Sequence, residues 1–198
     1  MGRKLVLASA SRSRQSLLKN AGVECDALAA DIDERAIEVG LPVGSSPQEV
    51  AMVLARHKAL DVASRRPDAL VIGCDQTMSL GCEVFHKPRS REEARSQILK
   101  LSGDSHNLNS AVVLATGSEV LWERVEIATL TAWAFGSQFV DQYLDMVGEE
   151  IFSSVGGYQL EGPGVRLFSK ISGDYFTILG LPLLPLLAQL REMGDIDA

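Results

Sequence analysis

A run of serines and arginines, Ala8-Ser9-Ala10-Ser11-Arg12-Ser13-Arg14, has the composition of a phosphate-binding turn. Residues 4–9 form a short, mostly apolar run that predicts a buried strand, and a helix is predicted to begin at Ser11. Ser9, Ser11 and Arg14 would then lie at a strand-to-helix junction, where free backbone N–H groups and the positive end of the helix dipole favour an anion. The simpler alternative is a serine N-cap beside surface arginines.

A carboxylate, Asp75, lies at the exit of a second apolar run, residues 69–73. A carboxylate in that position is suited to binding a metal ion or activating a water molecule. An Asp near a strand end is also a common turn or capping residue. Lys58 and Lys87 are further cations of the same half of the chain, and Pro88 favours an extended backbone at Lys87.

The elements that must position these residues alternate between strand and helix, which predicts the α/β class. Capping boxes that begin at Ser46 and Ser90 predict helices that end near Ser64 and Leu101. Periodicity and turn residues predict the rest: strands over 69–80 and 107–115, one or two strands over 120–135, a helix capped by Ser137 that runs to about Val147, a Gly-rich loop over 155–164, a hairpin of 165–171 and 175–179, and a helix from Pro182.

Length, composition and charge exclude several classes of protein. A chain of 198 residues with 46% hydrophobic and 23% charged residues is ordinary for a folded globular protein, and we expect one domain, residues 1–198, with two lobes. The net charge of −7 argues against sequence-independent nucleic-acid binding. The first 100 residues carry 15 Lys and Arg against 13 Asp and Glu, whereas residues 101–198 carry 4 against 13. We therefore expect the first half to hold an anionic ligand.

Cysteine usage and hydropathy indicate a cytoplasmic protein. The three cysteines include no C-x-x-C pair, so neither a disulfide framework nor a structural zinc site is expected, and a reducing compartment fits best. The longest apolar stretch, residues 176–188, is interrupted by Gly180, Pro182 and Pro185 and is too short for a membrane span.

Seven segments together resemble the Maf family of nucleoside triphosphate pyrophosphatases, in family order along nearly the whole chain. They are Leu5 to Arg14, the A-R-x-K-A around Lys58, the I-G-C-D-Q through Asp75, Lys87-Pro88, Ser102 to His106, Tyr158 to Gly162, and Gly180-Leu181-Pro182-Leu183. Each motif alone is weak, but their common order makes chance similarity an insufficient explanation.

The resemblance implies a mixed-sheet α/β fold, similar to that of inosine triphosphatases, with two lobes around a nucleotide cleft. It also implies hydrolysis of a nucleoside triphosphate to the monophosphate and pyrophosphate with a divalent metal, Mg or Mn. Carried over by position, Asp75 would accept the proton of the attacking water. Glu34 and Asp75 would hold the metal, and the triphosphate would be clamped by Ser9, Ser11, Arg14, Lys58 and Lys87. The resemblance leaves both a monomer and a homodimer open.

Three positions resemble the set that distinguishes family members by base: Ser13, Gln76 and Glu161. Gln76 and Glu161 match the members that act on 7-methyl-GTP, whereas members that act on dTTP and UTP usually have Thr and Gln there. The 7-methyl-GTP members have Trp at the position of Ser13, and an aromatic face would stack on a cationic base. We therefore expect a guanine-type preference with only modest added selectivity for the methylated base.

Three other interpretations can be weighed against the sequence. A nucleotide-binding regulator of cell division or septum formation would need the same residues without turnover, but Asp75, Lys58 and Lys87 favour an enzyme. An inosine or xanthosine triphosphate pyrophosphatase would carry a T-x-N-x-x-K motif near its start, which this chain lacks. A preference for dTTP and UTP is the third alternative.

Overall fold

The computed structural model describes residues 2–197, and within this range the chain has seven strands and seven α-helices. The strands are β1 (Lys4–Ala8), β2 (Asp26–Ala27), β3 (Ala69–Leu80), β4 (Glu83–Phe85), β5 (Ser105–Thr116), β6 (Glu119–Ala132) and β7 (Phe168–Ser172). The helices are α1 (Arg12–Asn20), α2 (Glu34–Val39), α3 (Pro47–Arg65), α4 (Arg91–Leu101), α5 (Ser137–Val147), α6 (Tyr175–Ile178) and α7 (Leu183–Glu192). The predicted α/β class is confirmed. No helix of the described chain is both long enough and apolar enough to cross a membrane.

The strands form one mixed sheet in the order β2-β1-β3-β5-β6-β7, with β4 paired to β3. Strand β1 pairs in parallel with both β2 and β3, and β4 and β7 pair antiparallel to β3 and β6. The contacts divide the described chain into two compact units. The first contains residues 2–76, 109–126 and 174–197, and the second contains residues 77–108 and 127–173.

In the first unit, alternate residues of β1 and β3 point into two separate cores, as the two-residue period of a strand requires. Leu7 and Ile72 belong to one core, together with leucines of α1 and α7. Val6 and Val71 belong to the other, which is covered by the small residues of α3. Both faces of the parallel strands are therefore buried, which explains why their sequences are continuously apolar.

Helix α3 lies very close to the sheet at Gly73. A Cβ atom on Gly73 would lie 2.4 Å from the carbonyl oxygen of Ala55 and 2.6 Å from the Cβ of Ala59. Only glycine on the strand, facing alanines on the helix, allows this distance. The contact determines how near the residues that follow Ala55 on α3 come to the exit of β3.

Most predicted helix starts are confirmed by hydrogen bonds at their caps. Ser46 and Glu49 form the reciprocal capping box, with Ser46 N donating to Glu49 Oε2 over 2.7 Å. At Ser90 only half of the predicted box is present, because the Glu93 carboxylate accepts from the backbone N–H of Arg89 instead. The prediction that Ser137 caps α5 is wrong, since Ser137 is the first helical residue and Gly136 is the cap.

The predicted hairpin of residues 165–171 and 175–179 is also wrong. Its first part contributes β7, which pairs antiparallel with β6. Its second part is helical, because the Asp174 side chain accepts from the backbone N–H of Thr177 over 2.9 Å and caps α6. A carboxylate three residues before a free N–H is an N-cap signal, and it outweighs the β-branched and aromatic content of residues 175–179. The Gly-rich segment 155–164, predicted as a loop, includes a short 3₁₀ turn, Val155–Gly157.

The second unit has a buried polar contact among aromatic rings. The Nε2 of His106 lies 2.6 Å from the hydroxyl oxygen of Tyr158, and the rings of both residues contact that of Phe168. Helices α4 and α5 pack beside each other, and Arg95 and Asp141 form an ion pair of 2.6 Å between them.

Candidate active site

The ammonium group of Lys58 contacts two carboxyl groups in the first unit. Its Nζ atom lies 2.6 Å from Asp75 Oδ1 and 2.8 Å from Glu34 Oε1. The approach of α3 to Gly73 explains the contact with Asp75, because Lys58 precedes the helix residue that touches Gly73 and Asp75 follows that glycine by two positions. These three residues are here called the Lys58 triad.

The Lys58 triad is buried at one side and open at the other. The exposed fractions of the side chains are 12% for Lys58, 9% for Asp75 and 52% for Glu34. Burial opposes the charged form of Lys58, but attraction and hydrogen bonds from Asp75 and Glu34 outweigh it and raise the pKa of the ammonium above its usual value. Lys58 is therefore a permanent cation at neutral pH.

The Ser9-Ser11-Arg14 turn lies at the predicted junction between β1 and α1. Ser11 is the N-cap, and its hydroxyl accepts from the backbone N–H of Arg14 over 3.5 Å. The hydroxyl oxygen of Ser9 accepts from the backbone N–H of Ser11 over 3.2 Å. Two hydroxyl groups and the first N–H groups of a helix are thus gathered at one turn, which is a suitable environment for a phosphate group.

The guanidinium of Arg14 is fixed by two backbone carbonyl groups. Its Nε donates to the carbonyl oxygen of Gly180 over 2.7 Å, and its Nη1 donates to that of Cys74 over 3.0 Å. Gly180 has a φ of +90°, and a Cβ atom there would lie 3.1 Å from Arg14 Nε. A larger residue at position 180 would therefore displace the arginine as well as strain the backbone.

The side-chain amide of Gln76 is also fixed within the first unit. Its Nε2 donates to the hydroxyl of Ser110 over 2.9 Å and to the carbonyl oxygens of Thr177 and Ile178 over 3.0 and 3.1 Å. The Ser110 hydroxyl in turn donates to the Thr177 carbonyl over 2.7 Å. The predicted specificity residue therefore has one orientation.

The structure places eight of the ten predicted residues in the first unit and two in the second. Arg14, Ser9 and Ser11 form one group, the Lys58 triad forms another, and Gln76 follows Asp75 directly. Ser13 is half-buried on α1. Lys87 lies between β4 and α4, Glu161 lies between the 3₁₀ turns Val155–Gly157 and Pro163–Leu167, and both are exposed in the second unit.

The Lys58 triad fits a divalent metal that arrives with a nucleotide. Within residues 2–197 no group of three or more His, Cys, Asp or Glu side chains is arranged to hold a metal ion by itself. Glu34 and Asp75, however, already converge on one cation, the Lys58 ammonium. Mg²⁺ is often held by one or two carboxylates with substrate phosphates as the remaining ligands. The two carboxyl groups are suited to that role.

Cys74 has no role as a nucleophile, although it precedes Asp75. The residue is fully buried, and burial raises the pKa of its thiol to about 11, so the reactive thiolate is absent at neutral pH. Its contribution to the site is its carbonyl oxygen, which accepts from Arg14.

Sequence reasoning missed the acceptors that fix Arg14 and Gln76. Four of them are backbone carbonyls, those of Cys74, Thr177, Ile178 and Gly180, and a carbonyl has no signature in the residue type that carries it. The signal that was available is the spacing of Asp174 and Thr177, an N-cap pattern followed shortly by Gly180.

Comparison with known proteins agrees with this arrangement. The chain matches the family of Maf-like proteins over residues 4–193. A Brucella abortus protein (biovar 1, strain 9-941) named 7-methyl-GTP pyrophosphatase is 56% identical over 195 residues, which cover 98% of both chains. A Mesorhizobium japonicum protein of the same name is 54% identical over 198 residues, 100% of both chains. A Bradyrhizobium diazoefficiens protein named nucleoside triphosphate pyrophosphatase is 48% identical over 188 residues, 95% of this chain and 93% of its own. Because the family match runs through every element that carries the Lys58 triad and the Ser9-Ser11-Arg14 turn, this chain belongs to the Maf family.

Proposed function

We propose that this chain is a nucleoside triphosphate pyrophosphatase that hydrolyses guanine-type nucleotides, 7-methyl-GTP among them, to the monophosphate and pyrophosphate. The observation that carries the proposal is the Lys58 triad, in which a buried lysine 2.6 Å from Asp75 holds that carboxyl group in place at a strand exit. The names of relatives at 54–56% identity over the full length support the same activity and the guanine-type substrate.

Asp75 is the group that accepts a proton from the attacking water. Its Oδ1 accepts a hydrogen bond from Lys58, which leaves Oδ2 for the water molecule. As the water oxygen bonds to the α-phosphorus, the bond from that phosphorus to the oxygen bridging to the β-phosphate breaks. One water proton passes to Asp75, and pyrophosphate departs with the electrons of the broken bond. The hydrogen bond from Lys58 holds the Asp75 carboxylate in position before the substrate binds.

The cations and hydroxyls of the first unit would hold the triphosphate. Ser9, Ser11 and the N–H groups that open α1 suit a phosphate group, and Arg14 is fixed by carbonyls so that its planar fork loses little freedom on binding. Lys58 adds a buried positive charge. Lys87, exposed in the second unit, would add a further cation. Charge developing on phosphate oxygens in the transition state is stabilised by such fixed donors.

A divalent metal, Mg or Mn, would be held by Glu34 and Asp75 together with the substrate's phosphates. When bound, it would offset negative charge on the phosphate oxygens and make an adjacent water more acidic. The Lys58 ammonium, within 2.6 and 2.8 Å of the two carboxyl groups, offsets part of their negative charge when no metal is bound.

Base selection would rest on Gln76 and Glu161, with Ser13 at the third position. A carboxylate only accepts hydrogen bonds, so Glu161 would pair with the N1–H and N2–H₂ groups of guanine. Against the carbonyl oxygens of a pyrimidine, which are also acceptors, it would form no hydrogen bond. Once a bound base covers the exposed Glu161 carboxylate, an acceptor left unpaired there costs about 1–3 kcal/mol, which is enough to separate the two classes of base. Ser13 supplies no aromatic face, and the added selectivity for the methylated base is modest accordingly.

The proposal extends to the setting of the reaction. The substrate is a free nucleotide and not a nucleic acid or a membrane surface, because the net charge of −7 disfavours binding to polyanions. A reducing cytoplasm suits three cysteines that are all unpaired in the described chain.

The experiment that tests the proposal is pyrophosphate release from a panel of GTP, 7-methyl-GTP, dTTP and UTP, with Mg²⁺ or Mn²⁺. We expect kcat/KM to be highest for the two guanine nucleotides and pyrophosphate to be formed together with the monophosphate. Tight nucleotide binding without release would favour the non-catalytic regulator, and faster hydrolysis of dTTP and UTP would overturn the base assignment.

A further inference from the structure

Residues 174–180, here called the 174–180 segment, contact two predicted substrate-binding residues without being assigned a role of their own. Asp174 caps α6 by accepting from the N–H and the hydroxyl of Thr177, over 2.9 and 3.3 Å. At the end of α6 the Thr177 carbonyl accepts from the backbone N–H of Gly180 over 3.1 Å, and the carbonyls of Thr177, Ile178 and Gly180 also accept from side-chain donors. Those donors belong to Gln76 and Arg14.

The chemistry of these contacts decides which way the Gln76 amide points. The carbonyl oxygens of Thr177 and Ile178 can only accept hydrogen bonds, so the amide atom that faces them must be nitrogen. The hydroxyl of Ser110 supplies the third acceptor, because its own proton is donated to the Thr177 carbonyl. An amide nitrogen has two hydrogens, and three acceptors within 3.1 Å occupy both. Only the oxygen of Gln76 is left for a ligand.

The last residue of the same segment, Gly180, fixes the guanidinium of Arg14. The Gly180 carbonyl accepts from Arg14 Nε, and the absent side chain of Gly180 leaves room for the guanidinium. One short stretch of backbone thus orients a residue assigned to the base and a residue assigned to the phosphates.

We propose that the 174–180 segment is a positioning element for substrate recognition, with Asp174 as its positioning residue. It makes Gln76 an acceptor only, so that the base beside Gln76 must offer an N–H group, and it holds the Arg14 guanidinium ready for a phosphate. The inference rests on the proposed function for its substrate class. Guanine offers both an N1–H and an N2–H₂ group on one edge, whereas uracil offers a single N–H between two carbonyls.

The test compares variants that remove the cap of α6 with variants that keep it. Asp174→Ala removes the side chain that caps the helix, whereas Asp174→Asn keeps a capping acceptor. Ser90→Ala is the matched control, because Ser90 caps α4 in the second unit and contacts none of the residues assigned to substrate. The measurements are the dissociation constants of the α,β-methylene analogues of GTP and UTP, and the melting temperature.

We expect Asp174→Ala to reduce the preference for the GTP analogue over the UTP analogue by about tenfold, because a freed Gln76 amide can turn its N–H groups toward uracil carbonyls. Both analogues should also bind more weakly, because Arg14 is no longer held. Asp174→Asn should keep the wild-type ratio. Ser90→Ala should lower the melting temperature by a similar amount and leave the ratio unchanged.

If Asp174→Ala does not fold, the buried Ser110 provides an independent pair. Ser110→Thr and Ser110→Val have the same shape and differ only in the hydroxyl that bridges Gln76 and Thr177. The inference requires both variants to keep the base preference, because the Thr177 and Ile178 carbonyls still face the Gln76 amide nitrogen. It is overturned if a folded Asp174→Ala variant keeps the wild-type ratio, or if Ser110→Val loses it, since the hydroxyl of Ser110 and not the 174–180 segment would then orient Gln76.

Binding ratios also separate this inference from the proposed function. A wild-type protein that binds the analogues with a guanine preference but releases no pyrophosphate would refute the enzyme and leave the positioning role intact. A wild-type protein that releases pyrophosphate while Asp174→Ala retains its base preference would refute the positioning role alone.

Discussion

At the scale of single residues, Lys58 determines how the acidic groups of the candidate site are held. Its ammonium is the shared partner of Asp75 and Glu34, and its raised pKa keeps it charged through the neutral range. In the proposed mechanism Lys58 has two functions: it positions the Asp75 carboxylate, and it supplies positive charge near the phosphates of the substrate.

Asp75→Asn keeps the size of the side chain and removes its ability to accept a proton. We expect pyrophosphate release to fall by about 10²–10⁴-fold, the usual effect of losing a general base, while the α,β-methylene GTP analogue still binds. Asp145→Asn is a control for the change in net charge, since Asp145 is an exposed carboxylate of the second unit that pairs with Arg91. Turnover of Asp75→Asn within a few-fold of wild type would contradict the assignment.

Lys58→Ala and Lys87→Ala should both lower kcat/KM for triphosphates. Each should also weaken the binding of a triphosphate more than the binding of a nucleoside, because each removes positive charge near the phosphates. Only Lys58→Ala should also destabilise the fold, since it leaves the buried Asp75 without its partner. Steady-state kinetics and urea unfolding measure the two effects.

The exposed Lys170 on β7 provides the control, and Lys170→Ala should change neither quantity. Equal weakening of every ligand by Lys58→Ala and Lys87→Ala would show that the two lysines support the structure and do not bind phosphate.

At the scale of elements, the distance between α3 and β3 depends on Gly73. Gly73→Ala would place a Cβ atom against the backbone of Ala55, so that the helix must move and carry Lys58 away from Asp75. We expect a loss of stability of about 1–3 kcal/mol, as for overpacking in a core, together with a fall in kcat. Thermal unfolding and pyrophosphate release measure both.

Gly136→Ala is the matched control for this substitution, because its added Cβ meets no atom within 4 Å. It should cost much less stability and leave kcat unchanged. A Gly73→Ala variant as stable and active as wild type would mean that α3 can shift without disturbing the Lys58 triad.

The sequence predicted elements wherever local signals agreed, and failed where they conflicted. The capping box at Ser46 and the apolar run before Asp75 each indicated one structure, and both elements are present. Residues 175–179 combine β-favouring side chains with an N-cap at Asp174, and the cap prevailed because hydrogen bonds at a helix start are more specific than propensity. The short strand β2 has only two residues and no local pattern to reveal it.

For the candidate site, residue types were predictable and their partners were not. Chemistry identified Asp75 and the Ser9-Ser11-Arg14 turn, because carboxylates, hydroxyls and guanidinium groups suit phosphate chemistry wherever they occur. The backbone acceptors from Thr177 and Gly180 depend on tertiary approach between residues about a hundred or more positions apart. No periodicity records such a contact.

At the scale of the whole molecule, the base preference should be transferable by two substitutions. Glu161→Gln combined with Gln76→Thr removes the two acceptors to which we assign the guanine preference. We expect the ratio of kcat/KM for GTP to that for UTP to fall, measured by pyrophosphate release, with smaller shifts from either change alone. An unchanged ratio in the double variant would place base selection elsewhere in the chain.

The stability of the whole molecule should also depend on pH through His106. Its side chain is 1% exposed, its Nε2 contacts the Tyr158 hydroxyl, and its Nδ1 is buried with no hydrogen-bond partner among residues 2–197. Burial disfavours the imidazolium and lowers the pKa of His106 from 6.5 to about 4.

Because the unfolded chain binds a proton at His106 between pH 6.5 and pH 4 and the folded chain does not, the free energy of unfolding should fall as the pH drops through that range, by about 3 kcal/mol in all. Urea unfolding at pH 7, 5.5 and 4.5 measures the change. His106→Gln keeps a polar partner for Tyr158 but cannot titrate, so its unfolding free energy should fall less steeply with pH than that of wild type. His86→Gln, at an exposed position of the second unit, should follow wild type. If the wild type and His106→Gln lost stability in parallel, the burial of His106 would not be the cause.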